Sequence, residues 1–326
     1  MKNYLSIGIV GTGCALPDDV ITNAQLQESA GLSDDWILAR TGIRERRRAG
    51  KDESASTLGA KAALNALESA NLPPVEIDLI VCTTISPDMP MPATACLIQA
   101  AIGAKNAVCF DLSAACSGFP YGLEVAEKLV RSGAYKNALL ISVDLMTRWI
   151  DYSDAQTCAL FGDGAGAVVL SGVEVGSGIL GTKLYSDGSL ADLVYIGDES
   201  FSPVAPDKLC RAKLRMNGKR TFRYAVKSMA EAAKNLLADL EIKSSEIDLV
   251  VPHQGNQRIS DAVAECLQIN NEKVFSNIAH VGNTTSASIP IALDECLKSG
   301  KITAGNLVLL TAFGSGATWG ASLIKF

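Results

Sequence analysis

A layered α/β fold is predicted by three features of the chain. Short β-rich runs alternate with helix-like segments, the pattern of sheets covered by helices. Several strand-like runs are apolar throughout, as strands buried on both faces are. The chain also repeats its own pattern in order, which predicts two related halves.

The elements follow in sequence. "MKNYLSIGIVGTGCALPDD" (1–19) reads as a first strand. Glycines and Pro17 interrupt its apolar run, and no cleavage-site pattern follows, so it is not read as a signal peptide. "SASTLGAKAALNALESA" (54–70) and "SGFPYGLEVAEKLVRSG" (117–133) read as helices. "IDLIVCTT" (77–84), "AVCFD" (107–111) and "ALLISVD" (138–144) read as buried strands. The least regular stretch, roughly 195–220, reads as a surface insertion.

Three pairs of segments carry the repeat. "EIDLIVCTT" (76–84) recurs as "EIDLVVPHQ" (246–254), 170 residues later. "LEVAEKLVRSG" (123–133) matches "PIALDECLKSG" (290–300) at a spacing of 167, and "GDGAGAVVL" (162–170) matches "GSGATWGASL" (314–323). The shared order predicts halves at 1–172 and 173–326. The spacing of 167 pairs Cys116 with Asn283, and the spacing of 170 sets His253 at the end of a strand equivalent to one ending near Thr83. Packing of the halves about a pseudo-twofold axis brings these three residues toward one site.

Composition narrows the chemistry. The 326 residues are 48% hydrophobic with a net charge of −6, enough for a large core and contrary to a general nucleic-acid role. Nine cysteines without a CxxC pair fit free thiols in a reducing compartment, the cytoplasm, rather than a disulfide framework or zinc site. No run is apolar for long enough to span a membrane. The basic clusters at 44–48 and from Lys208 to Arg223 read as solvated faces that can also hold an acidic or phosphorylated partner.

Cys82, Cys96, Cys109, Cys266 and Cys296 lie in apolar patterns and read as packing. Cys116 instead sits in "DLSAACSGF" (111–119), between a strand and a helix, among small residues. A helix N-terminus favours the thiolate there. Of the two histidines, His253 follows an apolar strand, whereas His280 reads as a loop residue with no special placement. "GSGATW" (314–319) reads as a tight turn whose N–H can face an oxyanion. "GIVGTG" lacks a third glycine and "GDGAGA" leads into a strand, so neither reads as a nucleotide loop.

"DWILARTGIRERR", "DLSAACSGF", "FGDGAGAVVL", "VPHQGNQRI", "VGNTTSASIPIAL" and "GSGATWG" together resemble the β-ketoacyl-acyl-carrier-protein synthase III family of condensing enzymes along nearly the whole chain. The resemblance implies a thiolase-like five-layer αβαβα fold, a homodimer and the triad Cys116, His253 and Asn283. It implies an oxyanion hole from the N–H groups of Cys116 and Ser315, and a donor tunnel lined by Trp36, Arg40 and Asn256. Arg223 and Arg258 match carrier-protein docking positions, and Met91 matches an acyl-pocket wall supplied by the dimer partner.

No cofactor is implied: the substrates are acyl-CoA or acyl-carrier-protein thioesters, and the reaction is a decarboxylative condensation with malonyl-carrier protein. Two positions depart from the family. Ala155 stands where an arginine usually sandwiches adenine, and "GNTTSAS" replaces "GNTSAAS". The first leaves open whether another arginine, Arg40 or Arg148, covers the base or the donor is a carrier protein. A specialised relative in secondary metabolism is the runner-up; a Cys-His-Asn thioester hydrolase would share the triad but need no malonyl partner.

Overall fold

The computed structural model describes residues 6–198, 201–202 and 212–326. In the first half, β1 (Ser6–Ala15) leads through β2 (Asp19–Thr22), α1 (Asn23–Ala30), α2 (Asp34–Thr41) and β3 (Glu45–Arg48) to α3 (Ala55–Ser69). Then come β4 (Leu79–Thr83), α4 (Thr94–Ile102), β5 (Val108–Leu112), α5 (Gly118–Arg131), β6 (Ala138–Leu145) and β7 (Asp163–Val173). The second half runs β8 (Gly178–Ser186), β9 (Val194–Gly197), β10 (Lys213–Met216), α6 (Gly218–Asp239) and β11 (Leu249–Pro252). It closes with α7 (Gln257–Leu267), α8 (Ile278–Val281), α9 (Ser288–Lys298), β12 (Leu307–Gly314) and β13 (Thr318–Lys325).

Two sheets with matching topology form the frame. One has the order β1-β7-β6-β4-β5, the other β8-β13-β12-β11. In the first sheet β6, β4 and β5 run parallel and β7 pairs antiparallel with both β1 and β6; in the second β12 and β11 run parallel and β13 pairs antiparallel with both β8 and β12. Helices α5 and α9 lie between the sheets, where Phe119, Leu123, Ile289 and Leu293 are wholly buried in one core with residues of both. Helices α3 and α4 cover the outer face of the first sheet, and α6 covers that of the second. The result is five layers, αβαβα. Among the described residues no helix is long and apolar enough to cross a membrane.

The glycines of "GTG" are explained by packing. A Cβ on Gly13 would lie 2.3 Å from Ala66 N and 2.5 Å from Ala62 O. The alanine face of α3 rests directly on the backbone of β1, so bare backbone is required on both sides. Ser54 opens that helix with a capping box: its Oγ accepts from Thr57 N at 3.2 Å, and its own N–H donates to Thr57 Oγ1 at 2.8 Å.

The structure corrects the register between the halves. Helices α5 and α9 begin 170 residues apart, at Gly118 and Ser288. The left-handed residues preceding them, Ala115 (φ 48°) and Thr285 (φ 51°), keep the same spacing. Helix α9 has 11 residues against 14 in α5, so it is nearly one turn shorter, and a match made at the helix ends gives 167. Cys116 is therefore equivalent to Ser286, not to Asn283. The strand pairing holds: His253 follows β11 as Thr84 follows β4.

Other expectations also change. The basic cluster at 44–48 is not wholly a solvated face, because Arg46 is 1% exposed. Its guanidinium donates to Ile21 O (3.1 Å), Asn23 Oδ1 (2.8 Å) and Ala159 O (2.7 Å), which fastens the antiparallel β2–β3 pair to the loop before β7. The ends of the 195–220 stretch form an antiparallel ribbon, β9 with β10, followed by the start of α6; Lys208 lies outside the described residues. Cys266 is exposed, Cys96 and Cys109 are half-buried, and His280 lies on short helix α8 with its side chain exposed.

Replacing Arg46 strips partners from three buried acceptors. Arg46→Met should lower unfolding free energy by about 2–4 kcal/mol. Arg48→Ala, which breaks only the exposed pair with Asp19, should cost about 0–1 kcal/mol. Urea denaturation of both variants checks this; equal effects would contradict the structural role given to Arg46.

Candidate active site

Cys116, His253 and Asn283 line one cavity of ≈ 440 Å³. His253 and Asn283 are buried and Cys116 is partly exposed. The same cavity is lined nearer solvent by the exposed residues Arg40, Ala155, Lys219 and Arg258. A polar base thus opens through a cationic mouth.

Cys116 owes its place to a strained turn. After β5 the chain passes through Ala115 at φ 48°, makes a single 3-10 turn over Ala115–Ser117 and enters α5. A left-handed non-glycine residue costs on the order of 1–3 kcal/mol, so neighbours must hold it. Ser117 Oγ donates to Ala114 O at 2.8 Å, and Thr318 Oγ1 does so at 3.1 Å. A Cβ on Gly314 would lie 2.9 Å from Cys116 N, so the glycine lets the end of β12 close on the nucleophile turn. Ser315 follows it into the cavity lining, with its hydroxyl bonded to Val194 O.

The helix start does not make Cys116 a resting thiolate. Burial pushes its thiol up to about 12 and the nearby Asp144 carboxylate adds to this, while the residue's own N–H only partly opposes them. The resting group is a thiol.

His253 sits directly after β11, and its N–H donates to Thr311 O at 2.8 Å. Ring Nδ1 lies 2.7 Å from Ser288 Oγ at the start of α9. Gln254 N donates to the same oxygen at 3.3 Å, leaving its proton available for Nδ1. That arrangement suits the tautomer with hydrogen on Nε2. Burial lowers the ring to about 4, so it is neutral at ordinary pH.

Asn283 is pinned by its backbone and oriented by its side chain. Its N–H donates to Leu160 O at 2.9 Å, and its carbonyl accepts from Gly162 N at 3.0 Å. Its Oδ1 accepts from Thr285 N at 2.9 Å, which leaves Nδ2 to donate into the cavity. A methyl at Gly255 would lie 2.8 Å from His253 Nε2 and 3.7 Å from Asn283 Nδ2. The two donor atoms therefore converge beside one bare glycine.

The remaining candidates divide. Trp36, Arg40, Asn256 and Arg258 line the cavity. The Arg40 guanidinium stands 4.3 Å over the Trp36 ring, and Asn256 Nδ2 donates to Arg40 O at 3.0 Å. Arg258 stacks on Phe222 at 5.5 Å. Arg223 is exposed and outside the cavity lining, as is Met91, at 83% exposure. Arg148 is committed elsewhere, donating to Glu53 O. The sequence reading missed Ser288 and Asp144, and met Thr285 only as a departure from the family's pattern beside Asn283. A buried-strand pattern ending in aspartate, "ISVD", is the one signal that pointed to Asp144.

The chain is similar to known proteins along nearly its whole length. Residues 110–188 match the family model for 3-oxoacyl-[acyl-carrier-protein (ACP)] synthase III, and residues 237–326 match that for its C terminal. The β-ketoacyl-[acyl-carrier-protein] synthase III of Aquifex aeolicus is 46% identical across 98% of this chain and 99% of its own. Its crystal structure superposes with a TM-score of 0.93, covering 98% of this chain and 100% of that one. The priming β-ketosynthase of the R1128 polyketide biosynthetic pathway is 33% identical, with a TM-score of 0.94 over 100% of this chain and 98% of its own. The chain belongs to the β-ketoacyl-acyl-carrier-protein synthase III family of acyltransferases.

Proposed function

We propose that this enzyme joins an acyl thioester to malonyl-acyl-carrier protein with loss of CO₂, the condensation that initiates fatty-acid synthesis. The observation that carries the reading is a thiol sharing a buried cavity with two convergent neutral donors. In the first step Cys116 Sγ attacks the acyl thioester, and its proton passes to the departing pantetheine thiolate. The N–H groups of Cys116 and Ser315 stabilise the tetrahedral oxyanion. In the second step CO₂ leaves the malonyl group, and the enolate oxygen takes hydrogen bonds from His253 Nε2 and Asn283 Nδ2. The enolate carbon attacks the acyl carbonyl, and the Cys116 thiolate leaves and takes up a proton from water, as its raised pKa favours.

Arg40, Lys219 and Arg258 at the mouth suit the phosphate of a pantetheine arm, borne by coenzyme A or by carrier protein. Arg40 already lies on Trp36, and Ala155 offers no second stacking cation. Arg223 extends the basic surface for an acidic carrier. The proposed homodimer is supported by β5, an edge strand of its sheet on which Val108 is half-exposed, and by the exposed Met91. Sedimentation at the mass of two chains supports the dimer and of one chain overturns it. The eight free cysteines among the described residues favour a reducing compartment, the cytoplasm. A priming role in polyketide synthesis is the second reading, favoured by the likeness to the R1128 enzyme.

The division of labour is testable. His253→Ala and Asn283→Ala should lower condensation roughly 10²–10³-fold while acyl loading on Cys116 falls far less. Intact-mass loading assays beside malonyl-carrier-protein turnover measure both. A variant that fails to load yet decarboxylates normally would contradict the assigned roles.

The pH response has a definite sign. His253 is neutral in the folded protein down to about pH 4 and takes up a proton near pH 6.5 when unfolded. Its contribution to stability is intact above pH 6.5 and is lost as the pH falls toward 4, about 3 kcal/mol in all. Wild type should lose more stability between pH 7 and 4.5 than His253→Gln in urea titrations. Equal losses would show that the ring is not held neutral by burial.

A further inference from the structure

The strongest unexplained feature beside the site is the carboxylate of Asp144, at the end of β6. It is fully buried, and among the described residues no salt bridge reaches it. A buried charge without a cation is costly unless neutral donors satisfy it. Donors surround it from both halves of the molecule. Oδ1 accepts from Ile85 N (2.8 Å), Ser86 Oγ (3.1 Å) and Thr84 Oγ1 (3.2 Å), all just beyond β4. Oδ2 faces the Thr285 hydroxyl, Ser286 Oγ (2.7 Å) and Ser286 N (3.3 Å), in the turn before α9.

That turn also sets both enolate donors. The Thr285 N–H holds Asn283 Oδ1 at 2.9 Å, and the Thr285 backbone faces the His253 ring. Thr285 is itself strained, a β-branched residue at φ 51°. Strain of this kind persists only where the surroundings hold it. The Asp144 carboxylate is the group that reaches the Thr285 side chain from the opposite half. Both hydroxyls lie at the two positions where "TTSAS" departs from the family's usual "TSAAS", which carries serine in place of Thr285 and alanine in place of Ser286.

We infer that Asp144, acting through the hydroxyls of Thr285 and Ser286, is a positioning residue for the condensation step. It anchors the second-half turn to the first half, so that Asn283 Nδ2 and His253 Nε2 meet the enolate in fixed geometry. The inference rests on the condensing reaction proposed above. It separates that reaction's two steps: loading uses Cys116 and backbone N–H groups, whereas decarboxylation and condensation use the turn that Asp144 holds.

Thr285→Val keeps the branched shape and removes only the hydroxyl. It should lower kcat for malonyl-carrier-protein condensation on the order of tenfold to a hundredfold. KM and the rate of acyl loading on Cys116 should change less than about threefold, by the same fixed-geometry argument. Thr285→Ser should restore most of kcat, because the hydroxyl returns. Ser286→Ala, which keeps the backbone donor, should show the same pattern more weakly and serves if the valine variant does not fold. Unchanged condensation in both variants, or loading and condensation falling in parallel with thermal stability, would overturn the inference. Wild-type enzyme that loads but never condenses would instead overturn the proposed reaction, so the two failures are distinguishable.

Discussion

The structure depends on the close meeting of two short turns, one from each half. Each follows its own sheet, passes through a left-handed residue and leads into a helix of the middle layer. A Cβ on Gly118 would lie 3.0 Å from Ser286 Cβ and 3.1 Å from Thr83 Cβ. Larger side chains there would push the turns apart and open the site. Gly314 makes the equivalent concession on the β12 side, where its bare α-carbon admits the Cys116 amide. The nucleophile comes from one half and both proton donors from the other. The two topologically matching halves therefore take different tasks at a shared junction.

The electrostatics of that junction are those of a buried polar site. Burial holds His253 neutral and keeps Cys116 protonated at rest. Neither group carries a standing charge, so the cavity tolerates an apolar acyl chain and still offers aimed hydrogen bonds when an oxyanion or enolate develops. Positive charge lies at the mouth, on Arg40, Lys219 and Arg258. It is separated from the chemistry and placed where a phosphorylated arm arrives.

Much of this was legible in the sequence, for physical reasons that differ by residue. Cys116 and His253 stood out because a strand gives way to small or polar residues at both, a local pattern. The "GTG" glycines were rejected as a phosphate loop on local grounds, and the alanine face of α3 supplies their actual purpose. The pairing of Cys116 with Asn283 failed because α9 is shorter than α5, a length change invisible when the match is anchored at the helix ends. Asn283 itself was reached, but it precedes the equivalent turn rather than occupying it. Arg46 was read as solvated because one of its partners, Ala159, is 113 residues distant, and no local pattern predicts that burial. The link between Asp144 and Thr285 was hidden for the same reason: it joins residues 141 positions apart.

The central claim is that Cys116 carries an acyl group that only a malonyl-derived carbon nucleophile discharges. Intact-protein mass spectrometry with peptide mapping tests it directly, using acyl-CoA and acyl-carrier-protein donors before and after malonyl-carrier protein is added. The account predicts a single acyl adduct on Cys116, stable in buffer, that disappears with formation of a β-ketoacyl-carrier-protein product. An adduct on another cysteine, or one that water removes as quickly without malonyl-carrier protein, would contradict it.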